Sequence, residues 1–191
     1  MNKNTNSKKT VVELPLEPFR RPIIKINNLH ALIDTGATIP MFYLKVHQLS
    51  RLGNGCKLVH EHAEVGGIGH GVVQGKVYSL NDFQLGDIHY KPLEVFVPNE
   101  IETNGKSNSP HPILFSSTMF EGMKFDFDTI DHKFTVKIPE DMSKNVEFRL
   151  AKSSNNRLLP IVNGVFLQEY AEVLVSQENY TQNDFVTLMS L

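Results

Sequence analysis

The run Ala31-Leu32-Ile33-Asp34-Thr35-Gly36 constrains this chain more than any other stretch. Apolar residues suited to a strand deliver one carboxylate, Asp34, straight into a turn of small residues, Thr35-Gly36-Ala37. Gly36 lets the backbone approach more closely than a side chain would allow. A carboxylate held this way suits one chemistry above others, the activation of a water between two acids that share a proton. The triplet Asp-Thr-Gly occurs once in 191 residues, so under that reading the second acid is expected from a symmetry-related copy of the chain.

Composition narrows the alternatives. The length suffices for one full domain with something extra. A net charge of −2 gives no electrostatic reason to expect a nucleic-acid partner. The single cysteine, Cys56, excludes an intrachain disulfide framework and fits a reducing compartment. Met1 to Thr10 is rich in Asn, Lys, Ser and Thr and has no apolar core of a secretory signal. No apolar run approaches membrane-spanning length. A soluble, cytoplasmic protein is expected, with no membrane partner. The acceptor pattern Asn179-Tyr180-Thr181 then carries no weight.

Along the chain, residues 1–12 have the composition of a disordered tail. Arg21 to Ile26, with Pro22 at its start, and Leu29 to Ile33 read as strands joined by Asn27-Asn28, since Asn tolerates positive φ. Residues 43–52 show weak helical spacing, ended by Gly53-Asn54-Gly55. Lys57 to Val65 and Val72 to Tyr78 read as strands around Gly66-Gly67-Ile68-Gly69-His70-Gly71, a glycine-rich hairpin tip. Two more strands flank Leu85-Gly86-Asp87. Asn99 to Pro112 is a loop by composition. Ile113-Leu114-Phe115 is a short strand, and Ser116 or Ser117 is placed to cap a short helix through Met123. Phe125, Phe127, Phe134, Val136 and Ile138 alternate on either side of residues 128–132, a further hairpin. Residues 141–191 contain no interpretable motif.

The order of these pieces over about residues 19–138 resembles a retropepsin, the retroviral-type aspartic protease subunit. The Arg21-Pro22 hairpin leads into Ala31-Leu32-Ile33-Asp34-Thr35-Gly36-Ala37, a Gly66-Gly67-Ile68-Gly69 hairpin follows, then Ile113-Leu114 and a short helix. The resemblance implies a mostly β fold: a closed β-barrel subunit with a glycine-rich flap and one short helix. Its domain would span 13–140, with 141–191 an extension of unknown role. It implies an aspartic endopeptidase acting as a homodimer on protein or peptide substrates, without metal or cofactor. Asp34 would be catalytic. Thr35, Gly36, Ala37 and Thr38 would support the active site, Thr35 interlocking with its dimer mate and Gly36 and Ala37 offering backbone groups to substrate. Gly66, Gly67, Ile68, Gly69, His70 and Gly71 would form the flap over a bound peptide, and Leu32, Ile39, Ile68 and Ile113 would line side-chain pockets.

Two departures stand out. After the apolar pair the family has Gly, Arg, then Asn or Asp, where this chain has Phe115, Ser116 and Ser117. Retroviral members also follow Asp-Thr-Gly-Ala with an acid that pairs with that Arg, where this chain has Thr38. Both halves of the ion pair are missing together, so no unpaired charge is left.

Plainer readings compete. Asp34 alone could be a turn aspartate, and the glycines of 66–71 a flexible hairpin. They do not make a phosphate-binding loop, because no Lys-Ser/Thr follows. His60-x-His62 with Glu61, Glu64 and His70 resembles part of a zinc set, but solvated strand residues are the simpler reading. Cys56 has no Cys/His pattern around it, and Lys3, Lys8 and Lys9 belong to a solvated tail. Two alternatives to the protease follow: a retropepsin-like module that docks extended peptides without cutting them, and a dimerisation domain whose work lies in 141–191.

Overall fold

The computed structural model describes residues 10–15, 22–66, 71–104 and 111–167. These residues are mostly in strands. Strand β1 is Thr10–Pro15, so the tail expected over 1–12 lies outside the described residues up to 9 and runs into a strand beyond them. Strands β2 (Ile23–Ile26) and β3 (Leu29–Asp34) form the expected hairpin. Both turn residues have positive φ, 46° at Asn27 and 67° at Asn28, the twist that suits a two-residue hairpin. After the Asp34 turn come β4 (Met41–Phe42), helix α1 (Val46–Leu52), the long hairpin β5 (Cys56–Gly66) and β6 (Val72–Leu80), then β7 (Phe83–Leu85) and β8 (Ile88–Pro98).

Asn99–Asn104 is a helix, α2, where composition alone suggested a loop. Strand β9 (Ile113–Ser116) passes into a single 3-10 turn, Ser117–Phe120, shorter than the helix expected there. Strands β10 (Lys124–Asp128) and β11 (Lys133–Ile138) form the phenylalanine-bearing hairpin, and β12 (Asn145–Lys152), β13 (Leu158–Val162) and β14 (Val165–Phe166) follow. The chain thus has two α-helices and a 3-10 turn among the described residues, against the one short helix expected.

The ladders make two sheets and, among the described residues, no closed barrel. The smaller sheet, ordered β1-β11-β10, packs Phe120, Phe125, Phe127 and Phe134 against one another with ring centroids 5.2–6.2 Å apart. It meets the larger sheet at Gly86, which has φ 58°; a Cβ there would lie 2.2 Å from Val12 Cγ1. Both the positive φ and the contact demand glycine.

The larger sheet has eleven strands and is organised around β8. The first half of β8 is flanked by β7 and β12, and the second half by β6 and β4. That enclosure explains why Leu93 to Pro98 is buried without alternation. Residues 145–162 therefore belong to the same sheet as the Asp34 strand. Val146, Phe148, Leu150, Leu158 and Val162 join the common core.

Candidate active site

Strand β9 lies between β3 and β4, parallel to the first and antiparallel to the second. Residues paired across a ladder share a face of the sheet. One face is then followed across four strands: Ile24, Ala31, Ile113 and Phe42 are mutual partners, and all four are fully buried. The opposite face carries Leu32, Leu114, Met41, Phe96 and Val77, again mutual partners. Asp34 belongs to this second face, two residues beyond Leu32, with Ser116 as its register partner. Leu32, Leu114 and Met41 are only half-buried there. Along β6 the same face continues through Gly75 to Val73, whose partner on β5 is Val65. A Cβ on Gly75 would lie 2.3 Å from Val97 O and 2.5 Å from the Phe96 ring, so glycine lets β6 settle onto Phe96. On this face the half-buried Leu32, Leu114 and Met41 near Asp34 are separated from the exposed Val73 by Phe96, Val77 and Gly75, which are buried.

This register corrects one expectation and fills another. Ile113 does not share the face of Asp34: it is buried in the core on the other side, because strand residues alternate. Its neighbour Leu114 takes that place beside Leu32. Ile39 is 5 % exposed and part of the core, so it does not stand open as a pocket wall in the single chain. Leu32 is half-buried on the face of Asp34, two residues before it.

The turn itself is closed by Asp34. Its Oδ1 accepts the Gly36 N–H at 2.9 Å and its carbonyl accepts the Ala37 N–H at 3.2 Å. Asp34 is half-buried, Thr35 and Gly36 are exposed, and Ala37 and Thr38 are half-buried. The turn is then fastened to the segment after β9. The Ala37 carbonyl accepts both the Ser117 N–H at 3.1 Å and the Ser117 hydroxyl at 3.2 Å. The Thr118 hydroxyl donates to the Thr38 carbonyl at 2.7 Å. Since that hydroxyl has one proton, the buried Ser116 hydroxyl must donate to Thr118 Oγ1, 2.8 Å away. Ala37 therefore uses its amide and its carbonyl within the chain, in place of the substrate contact expected of it.

Neutral hydroxyl bonds from Ser117 and Thr118 hold the turn to the segment after β9, and no charged side chain takes part in them. Phe115 points to the other face. It is fully buried and meets Phe42 and Phe83 edge-on at 5.9 and 5.8 Å, so it fills the core under the turn without touching the Asp34 face. Thr118 was not singled out from sequence, and Ser116 and Ser117 were read there as helix caps and not as the fastening of the Asp34 turn.

Gly66 closes β5 opposite Val72, and Gly71 is exposed. Gly67, Ile68, Gly69 and His70 lie outside the described residues. His60 and His62 gather no metal set: among the described residues no three His, Cys, Asp or Glu side chains come together as one. His62 is exposed, and His60 Nε2 donates to the Leu150 carbonyl at 3.0 Å. Cys56 lies 3.1 Å from Ser50 Oγ beside α1. No helix among the described residues is long and apolar enough to cross a membrane.

No protein-family model, curated protein or solved structure matches the chain with significance.

Proposed function

We propose that this chain is a retropepsin-like aspartic endopeptidase that works as a homodimer in the cytoplasm. The observation that supports the reading best is the position of Asp34. Its carboxylate ends β3, one strand in from the β2 edge of the sheet, is braced by its own turn, and shares a face with the half-buried side chains of Leu32, Leu114 and Met41. The eleven-stranded sheet would be the body of the subunit, and β5–β6 its flap.

One chain supplies one Asp-Thr-Gly, so the dyad would be two Asp34 carboxylates sharing a proton. The ionised carboxylate takes a proton from water as the water oxygen adds to the scissile carbonyl carbon. The protonated partner gives its proton to the carbonyl oxygen. Collapse of the tetrahedral intermediate breaks the C–N bond: the departing nitrogen takes the proton held by one carboxyl group, while the other carboxylate takes a hydroxyl proton of the gem-diol, so the dyad again holds one proton. Leu32, Leu114 and Met41 would receive side chains of an extended peptide.

The test compares wild type with Asp34→Asn on a complex peptide library between about pH 4 and 7, the range suited to paired carboxylates. New termini found by mass spectrometry with wild type alone support the reading. A chain that binds peptides but produces no termini would be a docking module instead, and the protease reading would be withdrawn.

A further inference from the structure

Hairpin β5–β6 is not held by its own ladder alone. The edge of β5 turned away from β6 is met twice by the β12–β13 hairpin. The Glu64 N–H donates to the Asn156 carbonyl at 2.8 Å, and Glu64 forms a parallel bridge with Arg157. Four residues earlier, His60 reaches the Leu150 carbonyl.

Each contact is prepared locally. In the turn Ser153–Arg157, the buried Ser153 donates its N–H to the Arg157 carbonyl at 2.9 Å and accepts the Arg157 N–H on its hydroxyl at 3.1 Å. Its carbonyl accepts the Asn156 N–H at 3.0 Å. Asn156 adopts φ 62°, which Asn tolerates better than most residues, and this conformation presents its carbonyl to β5. On the other side, the β5–β6 register slips twice, between Leu58 and His60 and again between His60 and Ala63. Bulges re-aim side chains, and His60 stands between the two. The Leu150 peptide that His60 grips is itself tied to β8, because its N–H donates to Glu94 Oε2 at 2.7 Å.

We propose that the β12–β13 hairpin sets the position of β5–β6, whose strand β6 continues the Asp34 face, with His60 and Ser153 as positioning residues. The consequence for peptide affinity rests on the protease reading; the support itself does not.

The experiment uses the full chain carrying Ser153→Ala or His60→Phe, with Ser153→Thr and His60→Gln as conservative counterparts that keep a hydroxyl and a side-chain N–H. Hydrogen exchange is read by mass spectrometry over residues 60–66 and 72–76, alongside KM and kcat on a peptide that the wild type cleaves. Ser153→Ala and His60→Phe are expected to speed exchange in those stretches about tenfold while β3 and β9 keep their protection. KM should rise more than kcat falls, and the conservative variants should restore both. Unchanged exchange, or an equal rise across the whole sheet, overturns the proposal. A local rise with KM unmoved overturns its link to substrate. If the wild type cleaves nothing, the protease reading falls, and the exchange comparison alone still decides whether the hairpin is a support.

Discussion

Thr118 and Thr38, 80 residues apart in sequence, are joined by a 2.7 Å hydrogen bond from the Thr118 hydroxyl to the Thr38 carbonyl. The bond fixes the far side of the Asp34 turn to the 3-10 turn that follows β9. Thr118→Val keeps the shape and removes the hydroxyl, leaving the Thr38 carbonyl and the buried Ser116 hydroxyl short of a partner. The expected loss is about 1–3 kcal/mol in urea unfolding. An unchanged midpoint would show that the turn is held by Ser117 alone.

Phe115 occupies the position where the family pattern has glycine, and the structure shows it buried between Phe42 and Phe83. Phe115→Gly therefore moves the sequence toward the family pattern and the protein toward unfolding. The cavity and lost ring contacts cost about 3–5 kcal/mol before the added backbone freedom of glycine. Thermal melting checks this; a variant as stable as wild type would mean that the site collapses around the smaller residue.

Glu94 is 4 % exposed and ties β8 to Leu150. Burial raises its pKa, more than the Leu150 N–H and the nearby Arg149 and His60 lower it; Glu147 raises it further. The folded chain thus holds the proton more readily than the unfolded one. The contribution of this group to stability is fullest below the ordinary carboxylate range and declines as pH rises through the raised folded value. Glu94→Gln keeps an acceptor for Leu150 and should flatten that part of a stability–pH curve, whereas Glu94→Ala leaves the amide without its acceptor and costs about 1–3 kcal/mol. Unfolding curves of the three proteins across pH decide it; a Gln variant with the wild-type slope would assign the slope to another group.

A shared dyad makes a quantitative demand on mixed protein. When wild type and Asp34→Asn are unfolded together in equal amounts and refolded, random pairing leaves about one quarter of dimers with two carboxylates. Activity per chain should therefore fall to about a quarter of that of wild type refolded alone. A fall to one half would mean that each chain cleaves on its own, and sedimentation showing only monomer under active conditions would agree with that.

Much of this fold was legible because local chemistry and tertiary context agree. Asn27-Asn28 specifies its turn, and Phe125 to Ile138 alternates as a hairpin buried on one face must. Other features depend on partners far away in sequence. Nothing near Ile113 says which of Ile113 and Leu114 faces Asp34; the register with β3 decides. Asn99–Asn104 has the composition of a loop and yet forms a helix, with Ile101 buried in the core. The site shows the same division: Asp34 announces itself, while Ser116, Ser117 and Thr118 acquire meaning only once β9 lies beside β3.

Strand β12 lies parallel to β8, pairing Asn145 with His89 and Phe148 with Leu93. A fragment ending at Ile138, the natural cut if the protease region were taken to stop there, would strip one edge of the central strand and uncover the slot that Val146, Phe148 and Leu150 fill. Such a piece would offer an open row of amides and carbonyls to any neighbouring chain, and self-association through that edge would be its fate in solution. Any trimming of this molecule, whether by its own kind or on the bench, must therefore fall outside residues 145–162.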